Sequence, residues 1–535
     1  MRNRKGGTFK IYAEEVRASK RMFNFLKRSR KMKRREFLGT AAATFAVTVV
    51  PRHVLGGVGY VAPSDKITLG YIGCGTQGIR EMISLLPEQD IQIVAVCDPN
   101  KSSTDYVDWN KNGIRDRIRT FLENPTWGEG IEGIPGGREI GKEIVETYYA
   151  KNRASETYRG CSSYADFREL LEKETDLDAV KIMVPDHLHA TIAIAAMKKG
   201  CHVVMHKPLA NRVYEARLID EVVRRTGVAT HLSAWRGTSD SVRDMILDGV
   251  IGTLKEIHDW TNRPVWPQYT SIPAETPPIP KNFDWDLWLG PVPHRPYHPH
   301  YTHAVFRGWY DFGGGAIADM GNYSLWPVFD AFSFGTPISI DANPSTDCEI
   351  VDQVSTSKII DFAFPKACVI RFKFAAQGKY PPFDLYWYDG GMKPPTPPEL
   401  EMDGRIMPRE GTMFVGDKGK ILDGRIIPEK KMREYLGLAE GEEIQEEERQ
   451  GSGGNRIWIE AFKGGPPSPG NFLNAKAVTE TIALGAVGLR VRSRQGGATT
   501  PPLEWDTNTM QITNLPEANE FLYREYREGW ELSGI

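Results

Sequence analysis

Cysteine is scarce: the 535 residues hold six, Cys74, Cys97, Cys161, Cys201, Cys348 and Cys368, with no CxxC pair among them. That excludes a disulfide scaffold and a zinc ribbon. Cys74 and Cys97 fall at the ends of two stretches that read as adjacent strands, so a bridge between them is conceivable. Net charge is nearly absent as well, with 67 Lys and Arg against 69 Asp and Glu, and no basic stripe follows the first 35 residues. Such a chain has no field with which to hold a polyanion, and no nucleic-acid partner is expected. No internal repeat is visible. What the chain has is a globular composition, 40% apolar and 25% charged, and a length that calls for two domains plus insertions.

Near the start, Arg34 and Arg35 precede Glu36, Phe37 and Leu38 and then an uncharged run from Gly39 to Val50. The run is too short to span a bilayer comfortably, and the pattern is that of a twin-arginine export signal. Lys33 stands where Ser or Thr is usual, no clean small-residue cleavage site follows, and no lipid-accepting Cys is present. Met32 fits a translational start, with the Lys- and Arg-rich residues before it as an extension. Residues 1–64 are therefore set aside as extension and signal, with export to the periplasm or beyond, and the twin-arginine machinery as a partner, as the expectation.

From Lys66 the pattern becomes regular. Apolar KITLGYIG leads into the turn GCGTQG, a helical stretch GIREMISLL, and apolar IQIVAVCD ending at Asp98. Strand, glycine turn, helix and strand occur in the order that a dinucleotide site requires. Gly73 permits the tight turn, Gly75 lets backbone approach a pyrophosphate, and Gly78 lets helix pack on strand, with Thr76 and Gln77 between them. Asp98, 20 residues beyond Gly78, can bond ribose hydroxyls and repel a 2′-phosphate. NAD is favoured over NADP, with Lys101 nearby weakening the preference. Alternation resumes with DFRELLEK, DAVKIMVP, ATIAIAAMKKG, CHVVMHKP, YEARLIDEVVRRTG and VATHLSA, which predicts a doubly wound parallel sheet over about residues 65–235. An insertion at about 101–160, with Trp109 and Trp127, reads as lying over or beside the cofactor.

Three local patterns imitate other sites. DWNKNG, Asp108 to Gly113, begins like a calcium loop, but the twelfth position is Arg119 rather than Glu, so an Asn-Gly turn is the better account. His187 and His189 stand two apart just before a helix, where they point in different directions and find no acidic or cysteine partner at ligand spacing. The segment HRPYHPHYTH, His294 to His303, reads as part of a substrate mouth, in which Tyr297, His300, Arg307 and Trp309 offer stacking faces and hydrogen bonds to a sugar. No metal is expected at any of them.

Beyond Ala234 the reading changes. The helix SDSVRDMILDG is followed by strand-like TLKEIHDWTNR, VSTSKIIDFAF and ACVIRFKFAA, the last two separated by Pro365 and Lys366 as a hairpin. Residues 236–535 thus read as an α+β domain with a large, mostly antiparallel sheet. The amphipathic EANEFLYREYREGW reads as a docking helix.

The combination of GCGTQG, VPDHLHATIAIAAMKKGCHVVMHKPLA and GGGAIADMGNY resembles the Gfo/Idh/MocA oxidoreductase family. The resemblance implies a dinucleotide cofactor, a carbohydrate substrate and oligomers formed through the sheet of the second domain. The family's strand-end motif is Glu-Lys-Pro, here His206, Lys207 and Pro208, so Lys207 keeps the position of the catalytic lysine. In the second motif Asp319 and Tyr323, four apart on one helical face, complete the implied catalytic set. Most members have His where this chain has Tyr323, while glucose-fructose oxidoreductase resembles this sequence in having Tyr there; a phenol needs a cationic neighbour to serve as a base, a part Lys207 could play. The resemblance further implies that Pro185, Asp186, His187, His189 and His206 line the nicotinamide crevice.

Taken together, an NAD-dependent oxidoreductase acting on a secondary alcohol of a sugar, glycoside or polyol is expected, with a tightly held and internally recycled cofactor. An NAD-dependent glycoside hydrolase working by transient C3 oxidation and elimination is the alternative.

Overall fold

The computed structural model describes residues 65–153, 158, 160–439, 442–444, 454–496 and 500–532. The twin-arginine stretch and the extension before it lie outside the described residues.

Six short apolar runs form one parallel sheet: β1 (Ile67–Ile72), β2 (Ile91–Cys97), β3 (Ser162–Tyr164), β4 (Ala179–Ile182), β5 (His202–Met205) and β6 (Thr230–Leu232). Their order is β3-β2-β1-β4-β5-β6. With helices on both faces the central strands are buried on both sides, so they read as continuous apolar runs rather than as alternation. The order reverses between β1 and β4, and the crevice at the carboxyl ends of those strands is where such a sheet binds a ligand. Two glycines make the turn after β1 possible. Gly73 has φ +102°, and a Cβ there would strike the Met183 carbonyl oxygen. A Cβ at Gly78 would strike the carbonyl oxygen of Gly73, so helix Thr76–Leu85 can approach β1 only without one.

The insertion holds two helices, Gly113–Leu122 and Arg138–Asn152. Their apolar faces, Ile114, Ile118, Leu122, Ile144, Val145 and Tyr149, extend the core of the parallel sheet. The DWNKNG stretch closes as a turn, with the Asn112 amide donating to Asn110 Oδ1 at 2.9 Å. Asp108 is paired with Arg80.

The second sheet has nine strands: β7 (Leu254–Trp260), β8 (Ser339–Pro344), β11 (Cys368–Phe374), β12 (Phe383–Tyr388), β13 (Gly411–Gly416), β14 (Lys420–Leu422), β15 (Arg425–Ile427), β16 (Leu503–Asp506) and β17 (Gln511–Ile512). They are ordered β15-β14-β13-β7-β12-β11-β8-β16-β17, and every pair is antiparallel except β7 with β12. Helix Lys476–Arg494 covers one face. Gly485 and Gly488 bring it close, since Cβ atoms there would stand 2.9 Å from the Phe372 ring and 3.0 Å from Ala342.

Three expectations need correction. The strands flanking Pro365 do not pair with each other. β10 (Val354–Lys358) pairs with β9 (Asp347–Val351) across Asp352 and Gln353, both at positive φ, a two-residue turn that closes a hairpin more readily than a distant pairing can. β11 pairs instead with β8 and β12. The EANEFLYREYREGW segment docks, but only Pro516–Leu522 is helical, as a 3-10 helix; the rest is irregular, with Arg524, Tyr526 and Arg527 bonding residues of other elements. Cys74 and Cys97 are both free and buried.

The nucleotide domain is completed by residues far along the chain. Trp458, Ile459 and Phe462 of helix Arg456–Phe462 join its core. Helix Val213–Thr226 carries two charges paired with distant partners, Arg217 with Glu480 and Glu215 with Arg524. Side-chain exposure of Glu215 and Arg524 is 0% and 3%, which makes theirs a fully buried ion pair.

Candidate active site

One continuous cleft runs from the glycine turn, along the carboxyl ends of β1 and β4, to helix Gly315–Ser324 of the second domain. Gly73, Gly75, Thr76, Gln77, Gly78 and Asp98 line its first part, and Pro185, His206, Lys207, Arg307, Asp319 and Tyr323 line the other.

At the glycine end, helix Thr76–Leu85 begins at Gly75 with no side-chain cap and no acid in its first turn. Its free amides and the positive end of its dipole are an anion site. The Asp98 carboxylate accepts from the Cys74 amide at 2.7 Å and the Asn100 amide at 2.8 Å. Burial pushes its pKa up while those amides pull it down. Each oxygen keeps acceptor capacity for a hydroxyl. This donor and acceptor set fits the pyrophosphate and ribose of a dinucleotide. Lys101 is exposed and takes no part in the wall. The insertion roofs this end: Tyr106, Val107, Asp108 and Trp109 all line the cleft. Tyr106 stands 3.2 Å from where a Cβ on Gly75 would be, and the Arg80–Asp108 pair fastens the roof to the helix below.

At the other end Lys207 follows β5, and its Nζ bonds Asp319 Oδ1. Burial lowers the Lys207 pKa, the Asp319 carboxylate opposes that, and the Arg307 charge adds to it. Burial alone would raise the Asp319 pKa, but Lys207, Arg307 and Arg263 together hold it below the usual carboxylate range. Arg307 Nε lies 3.3 Å from Oδ1 and Arg263 Nε 3.6 Å from Oδ2. One carboxylate therefore serves three cations, and among these lysine is the group that can lose its proton. The helix bearing Asp319 and Tyr323 is held at both ends. Asp186 accepts from the Gly314 amide at 3.0 Å, and Ser324 Oγ donates to Asp259 on β7 at 2.8 Å.

Tyr323 differs from expectation. Lys207 Nζ lies over its ring, 5.5 Å from the centroid, while the hydroxyl bonds His206 Nε2 at 3.2 Å. Burial raises the phenol pKa far above its ordinary value, and burial together with the charges of Lys207 and Lys181 keeps His206 neutral. Burial thus favours the protonated phenol, which can donate a hydrogen bond.

Asp186, His187 and His189 stand behind the wall rather than in it. His187 sits between Trp288 and Phe312, with Nε2 2.8 Å from the Trp288 carbonyl and Nδ1 3.3 Å from the Phe312 carbonyl, and its single N–H donates to one of them. His189 lies between the carbonyls of Val184, 2.9 Å from Nε2, and Pro208, against Nδ1, and its single N–H donates to one of them; the ring packs against the loop that presents Lys207. Of the four substrate candidates only Arg307 reaches the cleft. Tyr297 and Trp309 are buried in an aromatic cluster with Trp285, Trp288, Tyr301 and Phe312, where large apolar rings gain more from mutual packing than from exposure. His300 stacks on Tyr269 outside the cleft. Within the same segment His303 does line it, paired with Asp105 at 3.5 Å.

Sequence reasoning missed Arg80, Tyr106, Trp288, Arg263 and Trp530, all of which line the cleft. Arg263 had one signal, its place at the end of a strand, Leu254–Trp260, in the domain expected to face the cofactor. Trp530 had none.

Two family models match the chain. One, described as oxidoreductase family, NAD-binding Rossmann fold, covers residues 139–233. The other, described as oxidoreductase family, C-terminal alpha/beta domain, covers residues 241–383. The first begins only within the insertion, which separates β1 and β2 from the rest of the sheet. Among curated proteins the chain is similar to a dTDP-3,4-didehydro-2,6-dideoxy-alpha-D-glucose 3-reductase of Streptomyces violaceoruber, 35% identical over 19% of this chain and 31% of that one. It is similar to a levoglucosan dehydrogenase of Pseudarthrobacter phenanthrenivorans, 31% identical over 19% and 28%. It is also similar to a glycosyl hydrolase family 109 protein of Shewanella sp., 25% identical over 35% and 32%. Each match spans about a third of the relative's own length.

Proposed function

We propose that this chain, a member of the Gfo/Idh/MocA oxidoreductase family by its Rossmann and C-terminal domains, oxidises and reduces a secondary alcohol of a sugar, glycoside or polyol with a tightly held NAD. The observation that carries the reading is a buried lysine of lowered pKa, ion-paired with Asp319, in the same cleft as an uncapped glycine turn. Bound NAD supplies the hydride acceptor and donor. Lys207, as the free amine, takes the hydroxyl proton as the carbon-bound hydride departs, and returns it in the reverse direction. Asp319 holds Lys207 in place, and Tyr323 donates a hydrogen bond to the alcohol or ketone oxygen. Printed names of relatives, a sugar 3-reductase and a levoglucosan dehydrogenase, support a carbohydrate substrate.

The Met32–Pro51 stretch is read here as a twin-arginine signal, which exports proteins already folded. Outside the cytoplasm no free NAD pool exists, so the cofactor is carried in the folded protein and regenerated in place. The roof of Tyr106 to Trp109 over the glycine turn supports slow release. Contact between copies is assigned to the sheet face opposite helix Lys476–Arg494, where Val369 and Tyr386 are only partly buried. To test the reading, the protein is purified from the periplasm, denatured and its released nucleotide identified by mass spectrometry. One equivalent of NAD or NADH is expected; a folded protein that releases none defeats the retained-cofactor reading.

The pH dependence has a definite sign. Oxidation requires Lys207 unprotonated, so its rate rises with pH through the Lys207 pKa, which lies below the 10.5 of a free lysine; the reduction rate falls through the same point. Asp319 is the main group holding that proton on. In Asp319→Asn the alkaline-rising limb moves to lower pH, and a limb that stays or moves upward would show that another group titrates.

A second reading is supported by the Tyr323–His206 pair, a further proton-bearing group beside Lys207. Glycoside hydrolysis by transient C3 oxidation, elimination and re-reduction needs a base for the C2 proton, a part for the Lys207 amine once it is again free, and an acid for the departing aglycone oxygen, a part for Tyr323; one relative is named a glycosyl hydrolase family 109 protein. Washout of deuterium from a 2-deuterated glycoside into the released sugar separates this reading from net oxidation.

A further inference from the structure

The charge at the reacting end of the cleft does not balance. Lys207, Arg263 and Arg307 converge on the single carboxylate of Asp319, and when Lys207 acts as the free amine the two arginines and an oxidised nicotinamide are the cations that remain. The other charges nearby are already matched. Arg80 is paired with Asp108 and Lys181 with Glu81. Asp186 stands behind the wall, turned to the Gly314 amide, and is a second carboxylate within the field of Arg307 and Lys207, one that burial inclines towards its neutral form. Arg236, exposed and over the Tyr323 ring, adds a cation rather than removing one. An oxidised nicotinamide, itself cationic, would deepen the excess.

Arg263 is also incompletely bonded. Arg263 Nε is buried without a hydrogen-bond partner among the described residues, although its side chain as a whole is 27% exposed. The Arg263 guanidinium lies 5.5 Å from the Trp109 ring, and Trp109, 61% exposed, gives the cleft mouth an aromatic face. Arg307 donates to the Ala304 carbonyl at 3.3 Å, and its guanidinium lies over the Phe306 ring, 4.7 Å from the centroid.

We infer that the substrate is a sugar acid whose carboxylate is held by Arg263 and Arg307, beside the hydroxyl that Lys207 deprotonates. The inference rests on the oxidoreductase reading for the identity of that hydroxyl. A planar guanidinium fork matches a carboxylate in two parallel hydrogen bonds. Oxidation of the neighbouring carbinol leaves the anion unchanged: the C–H pair leaves as hydride, the O–H proton goes to Lys207, and a keto acid remains.

The test uses the holoenzyme and follows quenching of tryptophan fluorescence by D-glucuronate, D-galacturonate, D-mannuronate and D-gluconate, each against its own methyl ester. The ester preserves shape and removes charge. At least one acid is expected to bind on the order of tenfold or more tighter than its ester, with the preference weakening as salt is raised and shrinking in Arg263→Gln. If no acid outcompetes its ester, or if the preference is unchanged in both Arg263→Gln and Arg263→Lys, the inference is overturned. Reduction of the bound nucleotide is recorded in the same titrations. Neutral sugars oxidised as well as acids would refute the inference and keep the oxidoreductase reading. Acids that bind tightly with no sugar changing the nucleotide would refute that reading instead.

Discussion

Lys207→Met is expected to lower kcat/KM for alcohol oxidation by about 10³-fold, within the usual range for loss of a general base and equal to about 4 kcal/mol of transition-state stabilisation. The reason is specific to this site. Tyr323 is bonded to a neutral His206 and keeps its proton, and Asp319 is held ionised and saturated by Arg263 and Arg307, so neither can replace the amine. Nucleotide content is expected to persist, because the glycine turn and Asp98 stand at the other end of the cleft. Removing one of three cations still leaves Asp319 paired, so folding should survive. Stopped-flow reduction of the bound nucleotide measures the chemical step alone. A variant that reduces its nucleotide at the parental rate would remove Lys207 from the mechanism.

The largest expected loss of stability lies far from the chemistry. Arg524→Met leaves Glu215, fully buried, without its cation; Arg524 also donates to Asn211 Oδ1 at 2.6 Å and to the Asp311 carbonyl at 3.0 Å. Tyr526 still donates to Glu215 at 2.9 Å, but one hydroxyl does not compensate a buried charge. Breaking such a pair from one side costs about 3–5 kcal/mol. The denaturant midpoint should fall accordingly, and Glu215→Gln placed on top should restore part of the loss, since it removes the stranded charge. An unchanged midpoint, or a double variant weaker than the single by the full sum, would show that the pair is not coupled.

Most of the architecture was legible because its signals are local. β1, the glycine turn, β2 and Asp98 are contiguous, and their roles follow from backbone sterics that any observer of the sequence can apply. Lys207, Asp319 and Tyr323 were named from motif resemblance, and the structure brings all three into one cleft. What failed depends on non-local packing. Trp309 and Tyr297 look like sugar-binding rings in isolation, but five other large rings within reach make a core of them. His187 and His189 look like crevice residues, but carbonyls from Trp288, Phe312, Val184 and Pro208 converge on them from other elements. β10 was paired with the wrong strand because a tight turn at Asp352 and Gln353 is less conspicuous in sequence than a proline.

The Glu215–Arg524 pair also sets a clock. Its members are 309 residues apart, which at ribosomal rates is about 15–60 s of synthesis. Throughout that interval helix Val213–Thr226 carries a carboxylate that cannot be sealed from water without its counter-ion. The face of this helix that meets the tail is therefore finished last, and the docking of the tail onto the first domain waits on residues made at the end of synthesis.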